Sequence, residues 1–571
     1  MMSLSRLLNL SDSLWYSTKD PCSWKGVRCS SGNSSVTGLS LSSLDLSNSN
    51  FLPVVCKIET LQDLDLSNNS LSSISDEFIN DCGRIDGLKL LNFSKNLLRG
   101  SLPTFNGFAG LKSLDLSFNS LSGSVRQQLD GMHALESLNL SYNMFTGPIP
   151  VNLGIPLLLK ELQLSMNGFQ GTVPHEIAKY QNLSLIDLGS NYLEGSIPTG
   201  IGNLARLRVL LLSSNNLSGE IPANISNIPT LYRFAANSNG FAGTIPSGIT
   251  RYLSFLDVSY NSLSGRMSTD LLSGPNLQLV DLSSNLLEGP IPAKVSKSLL
   301  RLRLGSNRLS GPIPPSFQTL DNLTYLELDN NRLTGEIPHQ LSFCRKLALL
   351  NLARNNLTGP VPALLVAVNL EHELEFAHWF NTFFNFKLAR SCSPELARKQ
   401  SSGRIPATIN SLYSLLEVQL GENQLSGTIP NMPVNLHIAL NLSTNLLQGA
   451  IPENLSRLKD LEILDLSNNN ILGEIPESLI EMESLNQLIL SNNQLYGVIP
   501  GFKPYVSLNA SGNPGLKNKT SEKLARKKGR QNGVIIVVGV GAFLLVSFIF
   551  FLLLFLSEPK RDRTRTVSVQ R

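Results

Sequence analysis

The sequence predicts an α/β-class solenoid whose short strands stack in parallel. Three observations predict it. First, the stretch Leu183 to Pro198, L-S-L-I-D-L-G-S-N-Y-L-E-G-S-I-P, is followed by a near-copy, L-R-V-L-L-L-S-S-N-N-L-S-G-E-I-P, at Leu207 to Pro222. Second, this frame, LxxLxLxxNxLxGxIP, recurs from about Leu61 to Pro500 with its asparagine at seventeen positions from Asn69 to Asn493, most of them 24 residues apart. Third, the chain has 571 residues, 42% hydrophobic and only 16% charged. That is too long for one compact core, and it suits a coil that grows in one dimension.

Each position of the frame has a physical reason. LxL puts alternate side chains on one face of a short strand, so the leucines point inward and the residues between them outward. The asparagine follows at a turn, where its amide both donates and accepts, so a column of asparagines can satisfy backbone groups of its own and neighbouring coils. Glycine in GxIP permits a bend with positive φ. Proline fixes φ and removes a donor that the outer side of a coil does not easily satisfy. One repeat cannot bury its leucines alone, so the terminal repeats need caps.

With its GxIP segment the frame resembles the leucine-rich repeats of plant receptor-like kinases and receptor-like proteins, over about residues 20 to 560. The resemblance implies a right-handed, curved and twisted horseshoe with a concave parallel sheet, outside the cell, that binds a peptide, a small hormone or a partner receptor. D-P-C-S-W-K-G-V-R-C, Asp20 to Cys29, is similar to the family's N-terminal cap, which implies a Cys22–Cys29 disulfide and Trp24 packed on the first coil. Read without the resemblance, the same two cysteines are also compatible with free core thiols. Around Gly512-Asn513-Pro514 the sequence resembles the family's C-terminal end, but the cysteine pair found there in the family is missing. Of the other cysteines, Cys56 and Cys82 flank the first good repeat, and Cys344 reads as a small buried apolar residue.

These signals divide the chain into a cap region (1–35), repeats (36–500, irregular at 363–410), a C-terminal cap with a basic juxtamembrane segment (501–533), a transmembrane helix (534–556) and a short cytoplasmic tail (557–571). The span is a 23-residue uncharged apolar run from Val534 to Leu556, long enough to cross a bilayer. Basic residues flank it on both sides, so charge alone does not orient it. The net charge of +4 comes from those flanks: residues 517–571 hold twelve Lys/Arg against three Asp/Glu. A basic isoelectric point therefore does not argue for nucleic acid. Met1 to Trp15 lacks a basic start followed by an apolar run, so no signal peptide is read there. Fourteen N-x-S/T sequons precede the span, with Asn92, Asn139, Asn182, Asn224 and Asn322 as glycosylation candidates.

After Pro362 the pattern fails. Asn355 and Asn423 are nearly three periods apart with no copy between them, and Trp379 to Phe386 holds five aromatics in eight residues. This stretch is either a non-repeat island of the kind the family sometimes uses for ligand, or a degenerate or mis-spliced insert. The second reading is preferred, because the segment lacks the Gly/Ser/Asp chemistry of an ordered loop.

No VAIK, HRD or DFG motif occurs, and no cysteine/histidine spacing suggests zinc; His372-Glu373 lacks the second histidine of HExxH. No enzyme activity, metal or cofactor is expected. The expected function is a single-pass plasma-membrane receptor-like protein that binds an extracellular peptide or protein and signals through a co-receptor or partner kinase. A receptor kinase lacking its kinase domain and a non-signalling decoy are the alternatives. The candidate ligand residues start from Arg301 and Arg303, two apart on one strand, which resemble the R-x-R element with which family members grip a peptide's carboxylate. Phe255, Asp257, Tyr260 and Asp281 precede them, and Tyr325, Glu327 and Asp329 follow. The competing expectation is that Arg303 simply pairs with Glu327 on the adjacent strand.

Overall fold

The computed structural model describes residues 1–8, 15, 20–31, 35–125, 127–151, 153, 157–358, 403–404 and 414–518. Residues Met1–Leu516 form one compact unit, and Lys517–Arg571 a second. The predicted span at 534–556, the tail and the aromatic segment 377–400 lie outside the described residues. Among the described residues no helix is long and apolar enough to cross a membrane.

The coil from Leu183 to Leu207 shows how the sequence makes the fold. Leu185–Asp187 forms the first strand, with Ile186 buried between its two half-buried neighbours. The chain turns at Asn191, runs as a second strand over Tyr192–Gly195, bends at Gly195 (φ 74°) and enters a 3-10 helix at Thr199–Asn203 behind Pro198. Leu183, Ile186, Leu188, Leu193, Ile201, Leu204 and Leu207 are fully buried. Each is worth about 1.5–3 kcal/mol relative to the same side chain in water. Stacking such coils gives a 20-stranded main sheet. Every pairing along its length is parallel except the first, where Val27–Cys29 runs antiparallel to Val36–Ser40.

The asparagine column works across coils. Asn215 lies within hydrogen-bond reach of Leu188 O (2.9 Å) and Leu212 O (3.1 Å) through Nδ2, and its Oδ1 accepts from Leu193 N–H at 3.0 Å. Asn513, beyond the last repeat counted in the sequence, makes the same set of bonds to Leu490 O, Ala510 O and Leu495 N–H. The ladder therefore extends one coil further.

Three features go beyond the sequence reading. The outer side carries short 3-10 helices such as Thr199–Asn203 and Ala223–Asn227 in several coils, and α-helices at Leu52–Val55 and Asp76–Cys82 near the N-terminal end. The Leu-x-Gly segments pair between coils into two further parallel sheets, of 12 and 6 strands. Finally, the residue before each ladder asparagine is left-handed, and except for Gly512 before Asn513 it is not glycine, as at Phe118 (φ 54°), Tyr142 (φ 58°) and Ser214 (φ 57°).

On either side of the irregular segment the described coils stack directly on one another. Strand Leu349–Asn351 pairs directly with Glu417–Gln419. Asn423 is the next rung after Asn355, accepting from Leu357 N–H and reaching Leu352 O. Gly403–Arg404 pairs with Leu425–Ser426, in the place where other coils put their Leu-x-Gly strand. Gly403–Arg404 thus takes the Leu-x-Gly position of the coil begun at Leu347.

The N-terminal end is closed by several devices. Cys22 is bonded to Cys29, and Cys56 to Cys82, a pairing not proposed from the sequence. Trp24 stacks on Trp15 at 4.9 Å and joins the core beside Leu39. The helix Met2–Leu8 buries Leu4 in the same core. The C-terminal end has half-buried Phe502, Val506, Leu508 and Leu516 over the last coil. Cys344 is buried, and burial pushes its thiol up to about 12.

Candidate functional site

Strand geometry sends two residues of each three-residue strand out of the main sheet, so the sheet displays two columns. In the first, the central coils carry Leu185, Val209, Arg233, Phe255, Leu279, Arg301, Tyr325 and Leu349 in register. In the second they carry Asp187, Leu211, Ala235, Asp257, Asp281, Arg303, Glu327 and Asn351. The preceding coils fill the first column with Asp63, Leu90, Ser113, Ser137 and Glu161. The centre of the sheet therefore holds an apolar stripe broken by two arginines.

Of the nine sequence-derived candidates, seven fall together on four adjacent strands: Phe255 and Asp257, Asp281, Arg301 and Arg303, Tyr325 and Glu327. Tyr260 and Asp329 lie just past the strand ends. Tyr260 is left-handed and 48% exposed, and burial followed by the Glu327 charge raises the Asp329 carboxyl.

Both arginines of the R-x-R pair are engaged. Arg303 donates through Nη1 to Asp281 Oδ2 and through Nε to Glu327 Oε2, each at 2.9 Å. Arg301 Nη2 reaches Glu327 Oε1 at 3.2 Å, and its guanidinium lies 5.1 Å over the Tyr325 ring. These side chains are only 14–30% exposed, so the cluster is a half-buried network. Burial alone would lower the Arg303 pKa, but the Asp281 and Glu327 charges outweigh it and raise it. The adjacent-strand pairing is thus the arrangement present.

Arg233 occupies the same strand position three coils earlier and is built differently. Its guanidinium lies 4.7 Å over the Phe255 ring. Among the described residues it forms no ion pair within 4 Å; its buried Nε has no hydrogen-bond partner, a feature it shares with Arg301 Nε. Burial lowers its pKa, partly offset by the charges of Asp187 and Asp257 nearby. Burial, and then repulsion from Asp281, pushes the Asp257 carboxyl up to about 7; Ser259 holds it with its N–H and hydroxyl at 3.1 and 2.7 Å. The sequence reading missed Arg233. The available signal was Arg-Phe-Ala-Ala at 233–236, where the frame has leucines, followed one repeat later by an aromatic. Arg301 and Tyr325 repeat that pattern.

Leucine-rich repeat models match residues 102–145, 297–357 and 439–495, and, in a second form, 60–82, 182–204 and 206–228. A solved chain, from the Arabidopsis receptor kinase HAESA in complex with the peptide hormone IDA and the co-receptor SERK1, is 30% identical. The match covers 90% of this chain and 98% of that one, with a TM-score of 0.61. The chain belongs to the plant leucine-rich repeat receptor-like family. Within this family it is similar to an inactive leucine-rich repeat receptor-like serine/threonine-protein kinase of Arabidopsis thaliana, 31% identical over 23% of this chain and 16% of that one. It is also similar to Receptor-like protein 7 of the same plant, 36% identical over 16% of this chain and 9% of that one. The matches thus span less than a fifth of these curated relatives. Among the described residues no catalytic domain is evident, and no three acidic, histidine or cysteine side chains gather as a metal site.

Proposed function

We propose that this leucine-rich repeat receptor-like protein binds an extended extracellular peptide across the central strands of its main sheet. It is anchored by the apolar run 534–556, with the repeats outside the cell, and signals through a partner kinase or co-receptor. Arg233 takes a carboxylate of the peptide. Phe255 and Leu279 take an apolar side chain. The Asp281–Arg303–Glu327–Arg301 network with Tyr325 forms a rigid wall, and Asp257 is buried on the strand before that of Asp281. The observation that carries this reading is Arg233: a partly buried guanidinium, stacked on an aromatic, without a carboxylate partner, within an apolar stripe. A charged hydrogen bond in such a place contributes about 1.5–3 kcal/mol. The peptide-bound receptor at 30% identity supports the ligand class.

The test is capture of synthetic 12-residue peptides with free C-termini by the immobilised repeat region. We expect retained peptides enriched in a carboxylate next to an apolar residue, with amidated or neutralised versions binding about tenfold or more weakly. Capture with no dependence on either feature contradicts the proposal.

A further inference from the structure

The second column of the main sheet carries its own pattern. It runs in unbroken register from Ser40 through Asp65, Asn92, Asp115 and Asn139 to Gln163, and at the far end from Gln419 through Asn441, Asp465 and Ile489 to Asn509. Four of its residues head N-x-S sequons: Asn92-Phe93-Ser94, Asn139-Leu140-Ser141, Asn441-Leu442-Ser443 and Asn509-Ala510-Ser511. Two lie at each end. The ten strands between Asn139 and Asn441, from Glu161–Gln163 to Glu417–Gln419, have none in this column. Asn351 comes nearest, but Ala353 stands where the hydroxyl residue is required.

The local geometry of the four suits a glycan. Each turns Oδ1 back to accept the N–H two residues on, at 2.9 Å (Asn92), 3.1 Å (Asn139), 3.0 Å (Asn441) and 3.2 Å (Asn509). That bond survives glycosylation, because the sugar attaches to the nitrogen. Among the described residues, Nδ2 of Asn139 has one long contact, 3.4 Å to Asp115 Oδ2, and a glycosylated nitrogen keeps one hydrogen for it. For contrast, Asn224 lies on the outer side, its Nδ2 donates to Thr199 O at 2.7 Å, and its side chain fills the space over Gly202.

We infer that N-glycans on Asn92, Asn139, Asn441 and Asn509 fence the main sheet and confine the ligand to the ten bare strands between them. Strands about 4.8 Å apart make that window roughly 43 Å long, which an extended peptide of about 13 residues fills. The inference rests on the extracellular placement proposed above and deepens it. The window contains Arg233, Phe255 and the Arg301–Arg303 network near its middle, so the bare stretch and the apolar stripe coincide without having been chosen together.

The test has two arms. The full chain is expressed in plant cells, deglycosylated enzymatically in heavy-oxygen water and mapped by mass spectrometry. Isotope-labelled aspartate at 92, 139, 441 and 509 is expected. A chain glycosylated elsewhere, with these four bare, overturns the fence while leaving the extracellular reading in place; a chain without any glycan overturns both. In the second arm, Ala353→Ser completes a sequon at Asn351, whose Oδ1 already accepts from residue 353 N–H at 3.2 Å like the natural four. Glycosylated Ala353→Ser protein should lose at least tenfold in capture of the 12-residue peptide pool, and adding Asn351→Gln should restore it. Unchanged capture by the glycosylated variant overturns the window.

Discussion

Arg233 and Arg301 sit at the same strand position, each over an aromatic ring one coil further on, yet their charges are paired differently. Arg301 shares Glu327 with Arg303, which in turn bridges to Asp281. Arg233 has Val209 and Phe255 as register neighbours and Ala235 where the other site has Arg303. The first arrangement satisfies its charges internally and stiffens the sheet. The second leaves a partly buried guanidinium with no ion pair among the described residues, its charge offset only at longer range by Asp187 and Asp257. An arginine's meaning on a repeat surface is thus set by the residues one period away, more than by its own neighbours in sequence.

The comparison can be broken most severely through stability. Arg303→Ala leaves Asp281 and Glu327 half-buried without their shared cation, and should cost about 1–3 kcal/mol in chemical denaturation. Arg233→Ala removes no ion pair and should stay within about 0.5 kcal/mol. Equal losses would mean that the two sites are not distinct.

A second effect separates the acidic groups by pH. The Asp257 carboxyl, pushed up to about 7 by burial and by Asp281, binds its proton more tightly folded than unfolded, where about 3.9 is normal. Its contribution therefore favours the fold at low pH and is lost as pH rises from about 4 to about 7. Asp257→Asn, which keeps an oxygen to accept from Ser259, should flatten that part of the profile and stabilise the protein more at pH 8 than at pH 5. Urea midpoints at the two pH values check this; an unchanged slope contradicts it.

The smallest expected effect comes from a large change. Arg354 and Glu422 are 68 residues apart in sequence yet meet side by side at 2.9 Å. Removing 359–402, which is 44 residues, leaves a step of 24, the ordinary period. Thr358 then joins Gly403 to read L-T-G-R-I-P. The shortened chain should keep its melting temperature to within a few degrees, because the coils on either side already pair. Loss of cooperative folding would show that the segment supports the sheet.

Much of this was legible in the sequence, because a solenoid repeats its core rule in every coil. The inward leucines, the asparagine ladder and the bend at Gly195 follow from alternation, hydrogen-bond capacity and φ alone. The left-handed residue before each asparagine was not legible, since Phe118, Tyr142 and Ser214 share no side-chain chemistry. Their conformation follows the backbone ladder between coils, in which Asn191 N–H donates to Ser214 O. The break after Asn355 was visible but not placed, because counting by asparagine does not show which strands pair across it. Seven candidates fall on adjacent strands because register is periodic. Arg233 escaped because a single arginine shows its lack of a partner only when neighbouring strands are laid beside it.

The most direct measurement is calorimetric titration of one captured peptide into wild type, Arg233→Ala and Arg301→Ala repeat regions, each verified as folded. The account predicts at least tenfold weaker binding for Arg233→Ala and a change of no more than about threefold for Arg301→Ala, since losing a charged hydrogen bond costs about 1.5–3 kcal/mol. The reverse order, with Arg301 dominant and Arg233 silent, would contradict it.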